Sequence, residues 1–153
     1  MSLTVEDVMR TGVVTIKGSY TARQAAKIMD YHGVSSLIVM SNKKLTGIVT
    51  EKDLCTRVVA KGEDPERVKV KDIMSQPVMI VKSDASLEGA IQVMLVQGIK
   101  KLPVLGGELG EDLVGILSLT DVVMLYPALY ATMKQLQESQ SFELEKGLDF
   151  YIA

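Results

Sequence analysis

The stretch GIVTEKD at residues 47–53 occurs a second time as GILSLTD at residues 115–121. A second stretch is repeated too, because GVSSLIV at residues 33–39 is matched by GIKKLPV at residues 98–104. The copies are 65 residues apart for the second stretch (33 to 98) and 68 for the first (47 to 115). The three extra residues fall in a Gly-rich polar turn at residues 106–110, where a hairpin tolerates insertion. The chain is therefore a tandem repeat of one structural unit.

Each copy predicts the element order strand, helix, strand, strand, helix. In the first copy, β-branched residues favour a strand over Val13–Ile16. Thr21 and Gln24 form a capping-box pattern, and Gly33 stands where a helix commonly ends in a left-handed residue. Two apolar runs joined by a polar turn then predict a hairpin. The apolar stripes of the two helices are Ala22, Ala25, Ala26 and Met29 in the first copy, and Leu87, Ala90, Ile91 and Met94 in the second.

These elements predict an α/β (α+β) fold made of two β-α-β-β-α repeats. Unbroken apolar strands indicate sheets covered on both faces, and one unit of about sixty residues would be marginal alone. We therefore expect the repeats to pack sheet to sheet with pseudo-two-fold symmetry. The predicted domains are repeat 1 (residues 1–61), a polar linker (62–69), repeat 2 (70–126) and a C-terminal helical extension and tail (127–153).

Composition narrows the functional classes. The 153 residues include 17 basic and 19 acidic side chains, so the basic excess of a nucleic-acid binder is missing. One cysteine and one histidine leave no disulfide, no cysteine- or histidine-rich metal site and no Ser–His or Cys–His pair. We expect no catalytic residue, no metal and no covalent cofactor. Without a signal-peptide pattern or a membrane-spanning apolar run, the expected location is cytoplasmic with no membrane partner.

In the first repeated stretch, a hydroxyl side chain stands three residues before a carboxylate. Thr50 precedes Asp53, and Ser118 precedes Asp121. This spacing is typical of a helix cap. It also suits a ligand, because N–H groups at a helix start attract phosphate and a carboxylate can accept from both ribose hydroxyls. Duplication copies a cap as readily as a binding site, so the residues alone leave both interpretations open.

The repeated blocks, together with DVM at residues 7–9 and DIM at residues 72–74, resemble a tandem pair of cystathionine β-synthase (CBS) domains, a Bateman module. The resemblance runs from about Val5 to about Tyr126. Each block alone is weakly specific, and the specificity lies in their order, repeated twice. The resemblance implies that the pair binds adenosine nucleotides, or S-adenosylmethionine in some members, in clefts between the two repeats.

The resemblance also implies which residues bind the ligand. Asp53 with Thr50 marks one site, and Asp121 with Ser118 and Thr120 marks the other. In each site the carboxylate binds the ribose, and the hydroxyl contacts phosphate or ribose. The remaining lining residues implied in this way are Val14, Val34, Ser35, Ile48, Met79, Ile99 and Ile116.

Lys100 and Lys101 distinguish the two copies, because the first copy has Ser35 and Ser36 at the same places. Similar modules carry basic residues there, which implies that these lysines contact a di- or triphosphate tail. The site marked by Asp53 is expected to use them most directly. The alternative is an ordinary solvated pair of surface lysines.

Apolar residues with helical spacing continue beyond the second repeat. Pro127 either kinks one long helix or begins a second one. The stripe either packs on its own module or contacts a second copy of the chain. We expect a homodimer, since modules of the resembling family commonly pair. The stripe consists of Val122, Val123, Tyr126, Leu129, Tyr130, Met133 and Leu136.

The sequence thus predicts a non-catalytic regulatory module that senses energy state by binding AMP, ADP or ATP and acts on an unidentified protein. One alternative is a structural or dimerisation module whose sites bind nothing. Another is a binder of S-adenosylmethionine. An enzyme would need a nucleophile and a base, and a nucleic-acid binder would need a basic face.

Overall fold

The computed structural model describes residues 3–138 and 150–152. The described chain forms two compact units, each built around one repeat. Residues 13–78 form most of the N-repeat unit, and residues 3–12 join residues 79–138, 150 and 151 in the C-repeat unit. The units therefore differ from the predicted repeats, because the N-terminal segment packs with the second repeat and residues 70–78 with the first. Residues 139–149 and 153 of the predicted tail lie outside the described residues.

The N-repeat unit contains a three-stranded sheet in the order β1-β2-β3. Strand β1 runs parallel to β2, and β2 forms an antiparallel hairpin with β3. Helix α1 packs its apolar face on this sheet, and a π-helical turn at Cys55–Val59 continues α2. The elements are β1 (Thr15–Lys17), α1 (Ala22–His32), β2 (Ser36–Ser41), β3 (Lys44–Thr50), α2 (Glu51–Leu54) and α3 (Val70–Ile73).

The C-repeat unit repeats this topology and adds two elements: helix α6, which lies in the predicted C-terminal helical extension, and an edge strand, β7, that the sequence patterns did not predict. Its sheet has the order β6-β5-β4-β7, with β4 parallel to β5 and β5 antiparallel to β6. The elements are β4 (Met79–Lys82), α4 (Leu87–Gln97), β5 (Lys101–Gly106), β6 (Asp112–Ser118), α5 (Leu119–Leu125), α6 (Pro127–Glu138) and β7 (Phe150–Ile152). The α/β class and the order strand, helix, strand, strand, helix are confirmed for both repeats.

The two hairpins have the same register, because equivalent residues pair in each. The pairing of β2 with β3 is irregular between Val39 and Met40, and the pairing of β5 with β6 is irregular between Val104 and Leu105. These positions are 65 residues apart, the spacing of the repeat in this part of the chain. A bulge bends a strand locally, so both copies bend the hairpin at the same place.

The helix signals in the sequence are largely confirmed. The side chain of Thr21 accepts from the backbone N–H of Gln24, which completes the predicted capping box. Gly33 and Gly98 end α1 and α4 in the left-handed conformation, with φ of 65° and 67°. One residue of the α1 stripe differs, because Ala26 is exposed while its neighbours Ala22, Ala25 and Met29 are buried.

The short segments that open each copy add an edge to the sheet of their unit. Arg10 forms an antiparallel bridge with Ile116, and Ser75 forms the same bridge with Ile48. The spacing is tight, because a Cβ atom at Gly115 would lie 2.8 Å from the carbonyl oxygen of Arg10. The glycine that opens the repeated stretch is therefore required by backbone packing.

Pro127 begins a second helix, the second of the two alternatives that its position allowed. The stripe predicted to face a second copy packs mainly on its own unit. Met133 is buried in the core of the C-repeat unit, and Tyr126, Leu129 and Tyr130 pack against that core. The Gln137 Nε2 amide also donates to the carbonyl oxygen of Leu95 in α4, at 3.0 Å. This part of the stripe needs no second chain as a cover.

Candidate functional site

The repeated stretch places its functional residues at the same corner of each unit, where the last hairpin strand runs into a helix. Thr50 is the final residue of β3, and Ser118 is the final residue of β6. Each precedes the first turn of a short helix, which carries Asp53 in α2 and Asp121 in α5. Both carboxylates are buried. Fully buried carboxylates are rare in proteins unless they are paired, so each aspartate needs a partner within the chain. We call the region around Thr50 and Asp53 the N-repeat corner, and the region around Ser118 and Asp121 the C-repeat corner.

Asp53 is held by the predicted capping box. Its Oδ2 atom accepts from the backbone N–H of Thr50 at 2.9 Å and from the Thr50 hydroxyl at 3.2 Å. The Thr50 hydroxyl oxygen in turn accepts from the backbone N–H of Asp53, at 3.3 Å. The capping interpretation is therefore correct for the first copy. It engages only one carboxylate oxygen.

The other oxygen of Asp53 faces Arg57, one helical turn along. The Nη1 atom of Arg57 lies 3.7 Å from Asp53 Oδ1 and donates a shorter bond of 2.7 Å to the carbonyl oxygen of Ile73. The guanidinium is therefore shared between the carboxylate and the backbone of α3. At 3.7 Å the contact with Asp53 is an ion pair and not a hydrogen bond.

Asp121 has a different partner. The Ser118 side chain makes no capping bond. Instead, Arg10 grips the carboxylate with two hydrogen bonds, from Nε to Oδ2 at 2.7 Å and from Nη2 to Oδ1 at 2.6 Å. The Asp121 side chain is 10% exposed and that of Arg10 is 72% exposed. Both oxygens of Asp121 are thus covered by a guanidinium that itself faces solvent.

The ion pair also acts on Arg10. The hydrogen bonds and the charge of Asp121 raise the pKa of the Arg10 guanidinium above its ordinary value. Arginine is already charged throughout the accessible pH range.

The C-repeat corner carries three basic residues where the N-repeat corner carries three serines. Lys100 and Lys101 correspond to Ser35 and Ser36 by their place before the central strand, and Arg10 corresponds to Ser75 by its bridge. Lys101 lies opposite Ser118 in the hairpin, as Ser36 lies opposite Thr50. The backbone N–H of Leu119 donates to the carbonyl oxygen of Lys100, and that of Glu51 to Ser35.

Sheet pairing places two of these basic side chains, Arg10 and Lys101, on one face of the C-repeat sheet together with Ile116 and the hydroxyl of Ser118. Directly opposed residues of an antiparallel pair share a face, and so do residues two apart on one strand. Lys101 is opposite Ser118, Arg10 is opposite Ile116, and Ile116 and Ser118 are two residues apart. Leu117, which projects from the other face, belongs to the core with α4. Charge, hydroxyl and a half-buried isoleucine therefore meet on the face away from that core.

The remaining predicted residues differ in burial and packing. Val14 and Val34 pack against the core of the N-repeat unit, and Met79 and Ile99 against that of the C-repeat unit. Ile48 and Ile116 are half-buried and belong to neither core cluster. Thr120 is exposed in the first turn of α5. The two isoleucines are therefore the predicted apolar lining residues that pack in neither core.

Two arginines of the corners, Arg10 and Arg57, were missed by sequence reasoning. Arg57 stands four residues after Asp53, a spacing that favours ion pairs on a helix. Its counterpart after Asp121 is Leu125. Arg10 is 111 residues from Asp121 in the chain, and nothing local in the sequence connects them.

The residues at positions 3–138 and 150–152 contain no group of three histidine, cysteine, aspartate or glutamate side chains arranged to hold a metal ion. Across the same part of the chain, every helix is too short or too polar to cross a bilayer.

Comparison with known proteins identifies the family. The CBS domain model matches the chain twice, at residues 5–60 and 70–128. The protein therefore belongs to the CBS domain family and contains a pair of such domains. The two matches contain both corners, with Asp53 in the first and Asp121 in the second.

Individual relatives agree with this assignment. The chain is 35% identical over 145 residues to the uncharacterized protein MK0525 of Methanopyrus kandleri, covering 94% of this chain and 72% of that protein. It is 33% identical to a hexameric CBS-CP12 protein from bloom-forming cyanobacteria, with a TM-score of 0.73 over 80% of this chain and 67% of that chain. The CBS domain pair of protein MJ0100, in complex with 5′-methylthioadenosine and S-adenosyl-L-methionine, shares the fold at 22% identity, with a TM-score of 0.73 over 84% of this chain and 98% of that chain.

Proposed function

We propose that this CBS domain pair is a non-catalytic regulatory module that binds an adenosine nucleotide, AMP, ADP or ATP. One observation carries the proposal. Both units place a buried carboxylate three residues after a hydroxyl, at the same strand end and close to an isoleucine that no core uses. A corner that served only as a helix cap would not need the same apolar residue beside it.

Each corner offers the groups that a nucleoside requires. A carboxylate is acceptor-only when ionised, and it suits the paired hydroxyls of a ribose. Ile48 and Ile116 supply apolar contact for a purine ring. In the C-repeat unit, Lys100 and Lys101 add cationic donors for phosphate oxygens. An adenosine derivative with one or more phosphates matches this combination.

Binding would regulate by favouring one conformation of the chain over another. A ligand shifts such an equilibrium only as far as its affinities for the two states differ. In the C-repeat unit, a ribose on Asp121 replaces contacts of Arg10, which belongs to the segment at residues 3–12. The displaced Arg10 side chain, on the surface of this segment, is the signal that a regulated protein would read.

A homodimer remains part of the proposal, on a surface of which only Val123 belongs to the predicted stripe. Helix α5 exposes Val123, Met124 and Leu125 in succession. Contiguous exposed apolar residues commonly mark a protein contact. The cyanobacterial relative is described as hexameric, which supports assembly of chains of this kind.

The test is isothermal titration calorimetry with AMP, ADP, ATP and S-adenosylmethionine. Wild type is compared with Asp53→Asn and Asp121→Asn, which keep the side-chain size but remove the charge. Asp7→Asn is the matched control, because Asp7 accepts from Thr4 in a capping box of the same geometry, at 2.8 Å and 3.1 Å, outside the corners.

We expect at least one adenosine nucleotide to bind, and Asp53→Asn or Asp121→Asn to weaken it by about tenfold or more, while Asp7→Asn leaves binding unchanged. Equal weakening by all three variants would reveal a general loss of stability and would contradict the site. Tighter binding of S-adenosylmethionine than of the three nucleotides would contradict the proposed ligand but would still support the two corners as the binding sites.

The second candidate is a structural or dimerisation module that binds no nucleotide. It is favoured by the fact that both carboxylates already have partners within the chain, Thr50 for Asp53 and Arg10 for Asp121. No heat of binding with any of the four compounds, together with a dimer in analytical ultracentrifugation that Met124→Lys dissociates, would support this candidate.

A further inference from the structure

The bond between Arg10 and Asp121 occupies the atoms that a ribose would need. Arg10 donates to both carboxylate oxygens, at 2.7 Å and 2.6 Å. The Asp121 side chain as a whole is nine-tenths buried. A pair of ribose hydroxyls approaching this carboxylate therefore meets the guanidinium first and has to displace it.

Displacement requires only the Arg10 side chain to move. The Arg10 backbone is fixed to β6 by two bonds with Ile116, each of 2.9 Å, one in either direction. Its side chain is largely exposed, so rotation meets little packing resistance. A displaced guanidinium stays tethered beside the same strand, close to any ligand that took its place.

We propose that Arg10 is a latch on the C-repeat corner that selects phosphorylated adenosine nucleotides over uncharged nucleosides. The inference rests on the proposed function and adds a specificity-determining residue to it. In the empty corner, Arg10 neutralises Asp121. When a nucleotide binds, the ribose takes the carboxylate and the guanidinium transfers to the phosphate.

The selectivity follows from the balance of charge. A neutral nucleoside breaks two charge-assisted hydrogen bonds and leaves the guanidinium with water alone. A nucleotide supplies a phosphate, which arginine binds in the same bidentate manner as a carboxylate. Lys100 and Lys101 belong to the same unit and increase the attraction for the anion. The latch therefore opposes nucleosides and favours nucleotides at the same position.

The N-repeat corner lacks such a latch. Ser75 occupies the position of Arg10, and its uncharged hydroxyl cannot form an ion pair. Arg57 is 3.7 Å from Asp53 and is bound more closely to the carbonyl oxygen of Ile73. A nucleoside that binds Asp53 does not have to break a bidentate bond, so discrimination by phosphate is expected only at Asp121.

The experiment measures the affinities of adenosine and AMP by calorimetry, with Asp53→Asn in every protein so that the C-repeat corner is observed alone. Arg10→Ala is compared with unmodified Arg10. Arg23→Ala is the matched control, because Arg23 forms an exposed ion pair with Glu66 away from both corners and its loss changes the net charge equally. Arg10→Lys keeps the charge but loses the bidentate geometry.

With Arg10 present, we expect AMP to bind more tightly than adenosine by about a hundredfold. Arg10→Ala should reduce this ratio to about tenfold or less, by tightening adenosine and weakening AMP. Arg23→Ala should leave the ratio unchanged, and Arg10→Lys should give an intermediate value. The same direction of change for adenosine and AMP in Arg10→Ala would overturn the latch.

The outcome also separates the latch from the function on which it rests. If the chain with Asp53 intact binds none of the nucleotides, the proposed function fails and the latch fails with it. If that chain binds AMP, but no protein carrying Asp53→Asn binds either compound with or without Arg10, the proposed function stands and the latch is overturned. Binding of adenosine only after Arg10→Ala supports the latch directly.

Discussion

The two corners show how one scaffold can carry two different charge arrangements. Both hairpins share their register and bulge, and both are extended by a bridge to a short segment beside an isoleucine. The buried carboxylate stands at the same place in each. The basic residue that faces the carboxylate comes from a different place in each unit. Arg57 lies one helical turn after Asp53 in one unit, and Arg10 belongs to the bridging segment in the other.

This difference teaches that burial, and not the identity of the partner, is the shared requirement. A carboxylate withdrawn from water needs hydrogen bonds or a cation. The N-repeat unit meets that need with the capping Thr50 and with Arg57, whose Nη1 atom lies 3.7 Å from the carboxylate. The C-repeat unit meets it with one bidentate arginine, and the Ser118 side chain makes no capping hydrogen bond. A ligand that binds Asp121 consequently has to displace a bidentate arginine, whereas a ligand that binds Asp53 does not.

The largest effect should come from the glycines that admit the bridging segments. Gly115→Ala should lower the free energy of unfolding by about 2 kcal/mol, because the new methyl group would lie 2.8 Å from the backbone oxygen of Arg10. Gly47→Ala should cost about 1 kcal/mol, since the corresponding backbone oxygen, that of Ser75, lies farther away at 3.1 Å and the closer neighbour is the flexible Met74 side chain. Urea denaturation of the whole chain measures both.

The same pair of variants can break the comparison. If Gly47→Ala costs as much as Gly115→Ala or more, the closer backbone oxygen of Arg10 is not what makes Gly115 sensitive. Adding Met74→Ala provides a check on the cause, because it should recover part of the loss in Gly47→Ala. A smaller recovery is expected when Met9→Ala is added to Gly115→Ala, where the backbone contact persists.

The next effect concerns the two hydroxyls. Thr50→Ala should cost about 1 kcal/mol of stability, because Thr50 accepts from the N–H of Asp53 and caps α2. Ser118→Ala should cost less than about 0.5 kcal/mol, since its side chain makes no capping bond. Urea denaturation compares the two, and Thr21→Ala, which removes the cap of α1, calibrates the size of a true capping loss. Equal losses at Thr50 and Ser118 would contradict the difference between the corners.

The smallest effect is expected from the arginines. Arg57→Leu, which installs the residue of the second copy, should cost about 0.5 kcal/mol, because it removes a hydrogen bond to the Ile73 carbonyl from a side chain that is 46% exposed. Arg10→Leu should cost a similar amount for a different reason: Asp121 loses both of its hydrogen bonds, but removal of a guanidinium that is 72% exposed opens the carboxylate to water, and two backbone bonds continue to hold the segment.

Amide hydrogen exchange tests this last difference locally. The backbone N–H of Ser75 donates to Ile48, and that of Arg10 donates to Ile116. Arg57→Leu should speed exchange at Ser75, since α3 is then held less firmly, while Arg10→Leu should leave exchange at position 10 nearly unchanged. Faster exchange at position 10 alone would mean that the ion pair, and not the backbone, anchors the N-terminal segment.

Much of the fold was predictable because its signals are local. The capping box at Thr21, the left-handed glycines after α1 and α4, and the hairpins all depend on residues within a few positions of one another. The grouping of the bridging segments was not predictable in this way. Residues 3–12 precede the first repeat in sequence but pack with the second, and that contact depends on the three-dimensional path of the chain.

The candidate site divides in the same manner. The sequence by itself determined the duplication, the element order and the positions of Asp53 and Asp121, because spacing and periodicity encode which residues end a strand and begin a helix. Only the tertiary structure decided that Asp53 is capped and Asp121 is held by Arg10, 111 residues away. The choice of a counter-charge for a buried carboxylate depends on which chain segment arrives beside it, and local spacing contains no record of that.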